Sequence, residues 1–312
     1  MKIATNLTLP FLGADLKGDE IISYIKILTK TRFRYADLGI GSACFEGSAM
    51  TGSKWRQWAD KILETARNEG IVFVQAHSSD SVYEKGQQRE YADEMIKRQI
   101  EVCGILGIPH IVVHNLYKFG ITRRQQRAAN KEFYGSLLET AEKNDVGILL
   151  ENGCYQISKN IHSNMSAEQL LEMIADLGDH PLVNVCWDVG HAHFQGIVNQ
   201  YDEINELGSR LKALHIHDNF GGDDSHMAPF SGSCGYDAII KGLLDIGYGG
   251  YFTLESFSSI MPSYYIKRKG HEKIEGQNEK LVDLPLEITM QGVNLLYEIA
   301  KYMLVQYECF EE

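Results

Sequence analysis

Acidic and histidine side chains stand at the ends of short apolar runs in this sequence. The run Val183–Asp188 ends in a carboxylate, and His191 follows three residues later. A carboxylate and an imidazole within one turn of chain are ligands that a divalent metal ion binds. Five other apolar runs end in such a residue: His77, His114, Glu151, His215 and Glu255. The repetition predicts that several strands deliver metal-type side chains to one place.

Strand-like runs alternate with helical segments along the whole chain. We predict strands at residues 1–6, 35–41, 71–76, 111–113, 147–151, 183–188, 211–217 and 251–255. Helices are predicted at residues 19–29, 53–68, 87–106, 123–143, 166–177, 201–207, 236–246 and 286–305. Ser53 and Ser166 are predicted N-caps, the second in a capping box with Gln169, and Gly70 is predicted to end the second helix.

Eight strands that alternate with eight helices predict an α/β fold, a parallel (β/α)8 TIM barrel formed by residues 1–312 as a single domain. Active sites of such barrels lie at the C-terminal ends of the strands, where the metal-type residues stand. The predicted loop 256–285 after the eighth strand is far longer than the usual connection of about 2–6 residues. It is rich in aromatic and basic residues, including Tyr264, Tyr265, Lys267 and Arg268. A lid, a substrate wall, a subunit contact and a solvated excursion are the alternatives for it.

Four residues at consecutive strand ends are predicted to form one metal cage: Glu151, Asp188, His215 and Glu255. Carboxylates with one imidazole suit Mn²⁺, Mg²⁺, Co²⁺ or Zn²⁺. A second group is predicted to contact the substrate or to bind further metal: His77, His114, His191, Asp224 and His226. His193 and His217 are predicted to point away from these residues and to have structural roles.

The composition is that of a globular protein with a sizeable core, since 44% of the 312 residues are hydrophobic. The net charge of −12 disfavours a polyanionic partner such as a nucleic acid. No apolar run is long enough to cross a membrane, and the N-terminal residues lack a signal-peptide core. The six cysteines contain no CxxC pair. We therefore expect a cytoplasmic protein with reduced thiols and a small-molecule substrate, with a homo-oligomer as an open alternative to a monomer.

The motifs resemble those of the xylose-isomerase-like barrel superfamily. This superfamily contains sugar phosphate isomerases, ketose epimerases, inosose dehydratases and metal-dependent apurinic endonucleases. The most specific sign is Leu-His-Ile-His-Asp-Asn at residues 214–219, followed by Asp-Ser-His at 224–226. With Asp-Val-Gly-His at 188–191 and Thr-Leu-Glu at 253–255, the resemblance covers essentially the whole chain.

The resemblance implies a different ligand set in each branch of the superfamily. In the isomerase and epimerase branch, the four-residue cage binds the metal, and Glu151 and Glu255 double as the acid–base pair. In the endonuclease branch, three zinc ions are bound by a larger set: His77, His114, Glu151, Asp188, His191, His215, Asp224, His226 and Glu255.

The chain departs from the pattern of each branch. Ketose 3-epimerases have an Arg six residues after the strand-seven His and an acid six residues after the strand-five Glu, where this chain has Gly221 and Ile157. The net charge of −12 is unlike that of a barrel that bends DNA with basic loops. We expect a metal-dependent isomerase or epimerase acting on a small polyhydroxy carbonyl compound through an enediolate. A trinuclear-zinc apurinic endonuclease, a dehydratase or lyase on the same scaffold, and a non-catalytic sugar sensor are the alternatives.

Overall fold

The computed structural model describes residues 1–7, 20–153, 166–197, 199–256 and 286–312. Eight parallel strands in this part of the chain form a barrel, which confirms the predicted fold. In chain order they are β1 Lys2–Leu7, β2 Tyr35–Leu38, β3 Val72–His77, β4 His110–Val113, β5 Gly147–Glu151, β6 Val183–Asp188, β7 Leu211–His215 and β8 Tyr251–Leu254. Apart from Ser256, the predicted loop 256–285 lies outside the described residues, and so does Ile157.

The strands pair in sequence order, and β1 pairs with both β2 and β8. A short bridge between Ile216 and Leu254 joins the chain after β7 to β8. There the amide of Ile216 donates to the carbonyl of Thr253 at 2.8 Å, and the amide of Glu255 donates to the carbonyl of Ile216 at 2.9 Å. The ring of strands is thus closed at the C-terminal ends of β7 and β8.

The strand register sets which side chains become neighbours at the mouth of the barrel. Glu151 at the end of β5 is paired with Cys186 in β6, and Asp188 at the end of β6 is paired with His215 at the end of β7. Neighbouring strands of a sheet lie about 4.8 Å apart. The last residues of these three strands are therefore held close together by the backbone alone.

A small apolar layer inside the barrel lies beneath these strand ends. It consists of Val112, Leu149, Cys186 and Ala213, all of them buried. Each of the four precedes a predicted site residue by two positions in the sequence. Side chains two residues apart in a strand point to the same side of the sheet. The layer therefore forms a floor for the side chains of His114, Glu151, Asp188 and His215.

The helices of the described chain lie between consecutive strands and after β8. The sequence predicts all but one of them to within a residue or two at each end. They are α1 Glu20–Leu28, α2 Trp55–Glu69, α3 Gln87–Leu106, α4 Arg123–Asn144, α5 Ala167–Asp176, α6 Val189–Phe194, α7 Gln200–Leu207, α8 Tyr236–Asp245 and α9 Leu286–Gln306. The unpredicted helix is α6, which follows β6 directly. Within the described ranges, no helix has the length and apolarity to cross a membrane.

The predicted helix caps are correct at two of three positions. Gly70 has a φ of 68° at the end of α2, a conformation that glycine adopts without strain. The hydroxyl of Ser166 accepts a hydrogen bond from the amide of Gln169 at the start of α5. The prediction for Ser53 is wrong, because α2 begins at Trp55 after a turn and its first residues receive no side-chain cap.

Candidate metal centre

Four buried side chains meet above the apolar floor, and they are the four of the predicted cage: Glu151, Asp188, His215 and Glu255. The Nδ1 atom of His215 lies 2.6 Å from Oε1 of Glu151 and 3.3 Å from Oε2 of Glu255. The same Nδ1 atom lies 3.9 Å from Oδ2 of Asp188. One donor atom from each side chain lies within 4.8 Å of the others. A single ion can therefore reach all four.

His215 is held from its other side by Asp37 in β2. Its Nε2 atom lies 3.1 Å from Oδ2 of Asp37, and the same carboxylate oxygen accepts a 2.9 Å hydrogen bond from Nε2 of Gln75. The contact with Asp37 assigns a proton to Nε2, which leaves Nδ1 to face the cage. Carboxylates often orient metal-binding histidines in this way. Sequence reasoning missed Asp37, although it too stands near the end of an apolar strand.

The cage concentrates negative charge around one imidazole. Burial raises the pKa of Glu151, but the charge of His215 and hydrogen bonds with His114 and His215 bring this pKa well below its usual range. Burial lowers the pKa of His215, but Cys186, Glu255 and Glu151 raise it well above its ordinary value. The proton between His215 and Glu151 thus balances the buried charge, and a divalent cation would satisfy the same lone pairs.

A second cluster lies beside the cage and shares Glu151 with it. Nε2 of His114 lies 2.8 Å from Oε2 of Glu151 and 2.9 Å from Nε2 of His77. On its other side, His114 donates from Nδ1 to Oδ1 of Asp80 at 2.7 Å. Burial lowers the pKa of His114, but the hydrogen bonds with Asp80 and Glu151 raise it to about 10. Burial and the neighbouring His114 lower the pKa of His77, so the pair combines a charged and a neutral ring.

A third group, called the outer cluster below, consists of His191, His217, Asp224 and His226. Oδ2 of Asp224 lies 3.1 Å from Nε2 of His226 and 3.7 Å from Nε2 of His191. Backbone carbonyls bind the far side of both rings. Nδ1 of His191 donates to Asn152 at 2.8 Å, and Nδ1 of His226 donates to Glu255 at 2.9 Å. These bonds direct Nε2 of both rings towards Asp224.

The segment after β7 brings Asp224 and His226 back to the barrel mouth. Asp218 and Met227 form an antiparallel bridge with two backbone hydrogen bonds of 2.9 Å. His226 has a φ of 46°, in the left-handed region that few residues other than glycine occupy. Burial raises the pKa of Asp224, but the charges of His226 and His191 bring it well below its usual range. The bent backbone thus places a charged carboxylate among the histidines.

The structure corrects the prediction for His217, which does not point away from the site. Its side chain is fully buried in the outer cluster, with Nε2 3.0 Å from Oδ1 of Asp188. His217 stands two residues after His215, and alternate side chains of an extended chain share a side. His193 does lie apart from the clusters found in the described chain, and its Nε2 atom contacts Oγ of Ser233 at 2.9 Å.

A cleft of about 430 Å³ opens onto the clusters from solvent. Its walls carry Asp80, Tyr83, Asn115 and Tyr117, which follow β3 and β4. Deeper in the same cleft lie His114, Glu151 and His191. A volume of this size with aromatic and polar walls suits a small polar molecule.

The donors fit divalent metal ions in both chemistry and spacing. Neighbouring ligands of a tetrahedral ion with bonds of about 2.0–2.1 Å are separated by about 3.3 Å. The distances of 2.6–3.9 Å in the cage and 3.1–3.7 Å in the outer cluster scatter around that value. Three carboxylates in the cage favour a hard or borderline ion, and three imidazoles in the outer cluster favour zinc.

A family model described as xylose isomerase-like TIM barrel matches residues 36–278. The chain belongs to this family. The matched region runs from β2 past β8 and contains every predicted site residue. The resemblance that the motifs carry is therefore confirmed at the level of the family.

The curated relatives align with part of the chain. An uncharacterized protein y4fM of Sinorhizobium fredii is 27% identical over 215 residues, 67% of this chain and 66% of that protein. A probable endonuclease 4 of Bacillus velezensis is 27% identical over 163 residues, 48% of this chain and 53% of that protein. A fructoselysine 3-epimerase of Escherichia coli O157:H7 is 28% identical over 89 residues, 28% of this chain and 30% of that protein. Each match spans less than two thirds of the relative's length.

Solved structures of sugar epimerases share the fold over nearly the whole chain. D-allulose 3-epimerase from Methylomonas sp., in complex with D-allulose, superimposes with a TM-score of 0.70 at 15% identity, over 96% of each chain. The 3-keto-D-glucoside 4-epimerase of E. coli superimposes with a TM-score of 0.66 at 15% identity, over 96% of this chain and 99% of that one. At these identities the likeness shows the architecture.

Proposed function

We propose that this xylose isomerase-like protein is a divalent-metal-dependent isomerase or epimerase that acts on a small polyhydroxy carbonyl compound through an enediolate. The observation that carries the proposal is the pair of buried glutamates, Glu151 and Glu255, whose oxygens lie 2.6 Å and 3.3 Å from the same nitrogen of His215. Two carboxylates around one cation position can remove a proton from a carbon and return one. The shared architecture with sugar epimerases supports this assignment.

The hydrogen bonds give the two glutamates different surroundings. Oε2 of Glu151 contacts His114, which in turn contacts the exposed Asp80 at the cleft. A proton on Glu151 can therefore exchange with solvent through His114. Among the described contacts Glu255 does not touch His114, and its Oε1 atom accepts a 3.2 Å hydrogen bond from Nδ2 of Asn6. We assign proton removal to Glu255 and reprotonation to Glu151.

The cage residues Glu151, Asp188, His215 and Glu255 would hold the divalent ion. When bound, the ion would supply a positive charge that polarises the substrate carbonyl and stabilises the developing oxyanion. Tyr83, Asn115 and Tyr117 line the cleft and would orient the substrate. Loss of water from the same enediolate would make the enzyme a dehydratase, so product identity separates these reactions.

The experiment is hydrogen exchange in deuterated water with a panel of free ketoses and inososes, each with Mn²⁺, Mg²⁺, Co²⁺ or Zn²⁺. Deuterium at the carbon next to the carbonyl, together with an isomerised or epimerised product, is the expected result. Glu255→Gln and Glu151→Gln serve as the inactive controls. Metal-loaded protein that exchanges no hydrogen with any member of the panel contradicts the proposal.

A trinuclear-zinc apurinic endonuclease is the second candidate. The observation that favours it is the position of Glu151, which joins the His77–His114 cluster to the cage through its two different oxygens. The similarity to a probable endonuclease 4 points in the same direction. The net charge of −12 weighs against a DNA substrate. About three zinc ions per chain, together with cleavage of an abasic-site duplex, would establish this candidate in place of the first.

The cellular setting belongs to the same proposal. The five cysteines in the described ranges are free: Cys44, Cys103, Cys186, Cys234 and Cys309. A cytoplasmic location and a sugar or sugar-derived substrate remain predictions. Assembly into a homo-oligomer also remains a prediction.

A further inference from the structure

Asn6, near the end of β1, contacts the proposed base, although no motif in the sequence marks it. The residue is 3% exposed, and its Nδ2 atom donates a 3.2 Å hydrogen bond to Oε1 of Glu255. We infer that Asn6 is a positioning residue that fixes the plane of the Glu255 carboxylate, so that Oε2 faces the cation position and Oε1 is kept for the hydrogen of the substrate. The task of Oε1 rests on the reaction proposed above, whereas the task of Oε2 does not.

The strand register places Asn6 beside Glu255. The strands β1 and β8 are parallel neighbours, and Thr5 is paired with Leu254. Asn6 and Glu255 are the next residues along each chain, one step nearer the barrel mouth. Paired strands lie about 4.8 Å apart, and residues at matching positions of parallel strands direct their side chains to the same side of the sheet. The pairing of β8 with β1 therefore brings the amide against the carboxylate.

The backbone of Glu255 is fixed on both sides of its side chain. Its amide donates to the carbonyl of Ile216 at 2.9 Å, and its carbonyl accepts from Nδ1 of His226 at 2.9 Å. The carboxylate is contacted by Asn6 at Oε1, and its Oε2 atom lies 3.3 Å from Nδ1 of His215. The last torsion of a glutamate side chain has only a broad, roughly two-fold preference, so an external contact must fix it. Asn6 supplies that contact at the oxygen that does not face His215.

The orientation of the Asn6 amide follows from its partner. A carboxylate accepts hydrogen bonds and donates none, so the nitrogen of the amide faces Glu255 and Oδ1 faces away. Oδ1 is buried and has no hydrogen-bond partner among the described residues. Burial of an amide that uses only part of its hydrogen-bonding capacity is unfavourable, and an apolar side chain of similar size would avoid this cost. The bond to Glu255 therefore accounts for a polar residue at this position.

Glu151 shows the same division of its two oxygens. Its Oε1 atom lies 2.6 Å from Nδ1 of His215, and its Oε2 atom lies 2.8 Å from Nε2 of His114. Each glutamate thus has one oxygen at the cage and one that is held by a neighbour. The neighbours differ in chemistry, because an imidazole can pass a proton on and an amide cannot. Glu255 therefore has a partner that orients it without exchanging a proton with it.

The bond from Asn6 also decides how Glu255 can contact a cation. Carboxylates bind divalent ions through one oxygen or through both. If both oxygens were bound, Glu255 would have no oxygen free for a substrate hydrogen. An oxygen that is bonded to Nδ2 of Asn6 is turned away from the cation position but retains a lone pair. Asn6 thus favours binding through Oε2 alone.

The structural test replaces Asn6 by leucine, which keeps the size of the side chain and removes the hydrogen bond. Asn184→Leu is the matched control, because Asn184 is a buried asparagine of β6 that donates to the carbonyl of Pro181 at 3.0 Å. Crystal structures of the wild type and both variants are determined with Mn²⁺. We expect Glu255 to bind through Oε2 alone in the wild type and the control, and through both oxygens in Asn6→Leu. Binding through both oxygens in the wild type, or an unchanged carboxylate plane in Asn6→Leu, overturns the inference.

A kinetic test compares Asn6→Leu with Asn6→Gln, which retains an amide donor on a longer side chain. The probe is the ketose or inosose that exchanges hydrogen fastest with the wild type. We expect kcat for exchange to fall by about 10–100-fold in Asn6→Leu with KM nearly unchanged, the range for residues that support metal ligands. Asn6→Gln should recover part of this loss. A side chain that only fills space predicts the wild-type kcat in Asn6→Leu, and that result overturns the inference.

The two measurements separate this inference from the proposed reaction. If the wild type exchanges no hydrogen with any member of the panel, the proposed reaction fails, and the carboxylate plane in the crystals still decides whether Asn6 positions Glu255. If the wild type and Asn6→Leu exchange hydrogen equally, the reaction stands and the inference fails. Circular dichroism follows the fold of each variant, and Asn6→Ala serves for both measurements where Asn6→Leu does not fold.

Discussion

Nε2 of His215 lies 3.1 Å from Oδ2 of Asp37, so one buried carboxylate holds the imidazole whose other nitrogen faces the cage. Asp37 is itself held by Nε2 of Gln75 at 2.9 Å. Through this contact β2 helps to orient a cage residue, although none of the atoms of β2 lies in the cage. The contact also makes the geometry of His215 depend on a residue outside the cage.

Asp37→Asn is predicted to weaken metal binding in the cage by about 10–100-fold, the range found when such a supporting contact is lost. An amide oxygen accepts more weakly than a carboxylate and leaves His215 less firmly oriented. The measurement is a titration against a competing chelator. Asp80→Asn is the control, since Asp80 contacts His114 and not His215. Equal affinity in wild type and Asp37→Asn would show that the floor and the cage orient His215 by themselves.

Glu151→Gln and Glu255→Gln are each predicted to lower hydrogen exchange of the substrate by at least about 100-fold, the lower range for a positioned acid or base. The fold should persist, because both side chains stand on strand ends and not in the apolar core. Exchange is followed by mass spectrometry and the fold by circular dichroism. Normal exchange in either folded variant removes that residue from the acid–base pair.

Metal binding is predicted to release protons near neutral pH. The carboxylates around His215 hold its pKa well above the ordinary value, so Nδ1 carries a proton in metal-free protein that a cation must displace. Affinity should therefore rise with pH. Calorimetric titrations in buffers with different heats of ionisation measure the released protons. A binding heat that does not depend on the buffer would contradict the predicted exchange.

The contribution of His114 to the stability of the metal-free protein is predicted to fall as pH rises. Contacts with Asp80 and Glu151 raise the pKa of His114 to about 10. Because folding raises this pKa, the charged imidazole of His114 stabilises the folded protein. This stabilisation is complete below about pH 6.5 and is lost as pH rises towards about 10. Thermal unfolding of wild type and His114→Asn in the presence of a chelator measures it. The difference between the two should shrink with rising pH, and a constant difference would argue against the charged imidazole.

The predicted loop 256–285 carries a prediction that rests on sequence alone, since all but its first residue lies outside the described chain. Replacing residues 262–279 by a short Gly-Ser linker should lower turnover by about 100-fold or more if the loop positions the substrate. Metal content should stay unchanged, because the cage and the outer cluster precede the deletion. Normal turnover in this variant would show that the substrate is held elsewhere.

Local sequence patterns predicted the fold well because barrel units repeat. The helix α3 was predicted with both ends correct, since Gly107 stops it with a φ of 70°. The helix α6 was missed because Asp188 ends β6 and also caps α6, accepting a 2.7 Å hydrogen bond from the amide of His191. One residue with both functions leaves no separate start signal in the sequence.

The sequence predicted those site residues that stand at the ends of apolar strands. The cage residues each follow an apolar run, and the closed barrel brings them together. Asp37 was missed because its contact with His215 runs across the barrel, between strands that are not neighbours. His217 could have been placed from the sequence, because the predicted strand 211–217 puts the side chains of residues 215 and 217 on the same side and the chain does stay extended beyond the last paired residue. Only the contact of Asp37 depends on a distance that no local pattern contains.

Because Gly190 lies in close contact with the ring of His217, positions 190 and 217 are expected to covary within this family. Any side chain at 190 would occupy the place of the imidazole edge. Relatives that gained a larger residue at 190 must therefore have lost or moved the histidine at 217, and the two positions should change together. An alignment sorted by this pair would divide the family into members that keep an imidazole at 217 in the outer cluster and members that lack it.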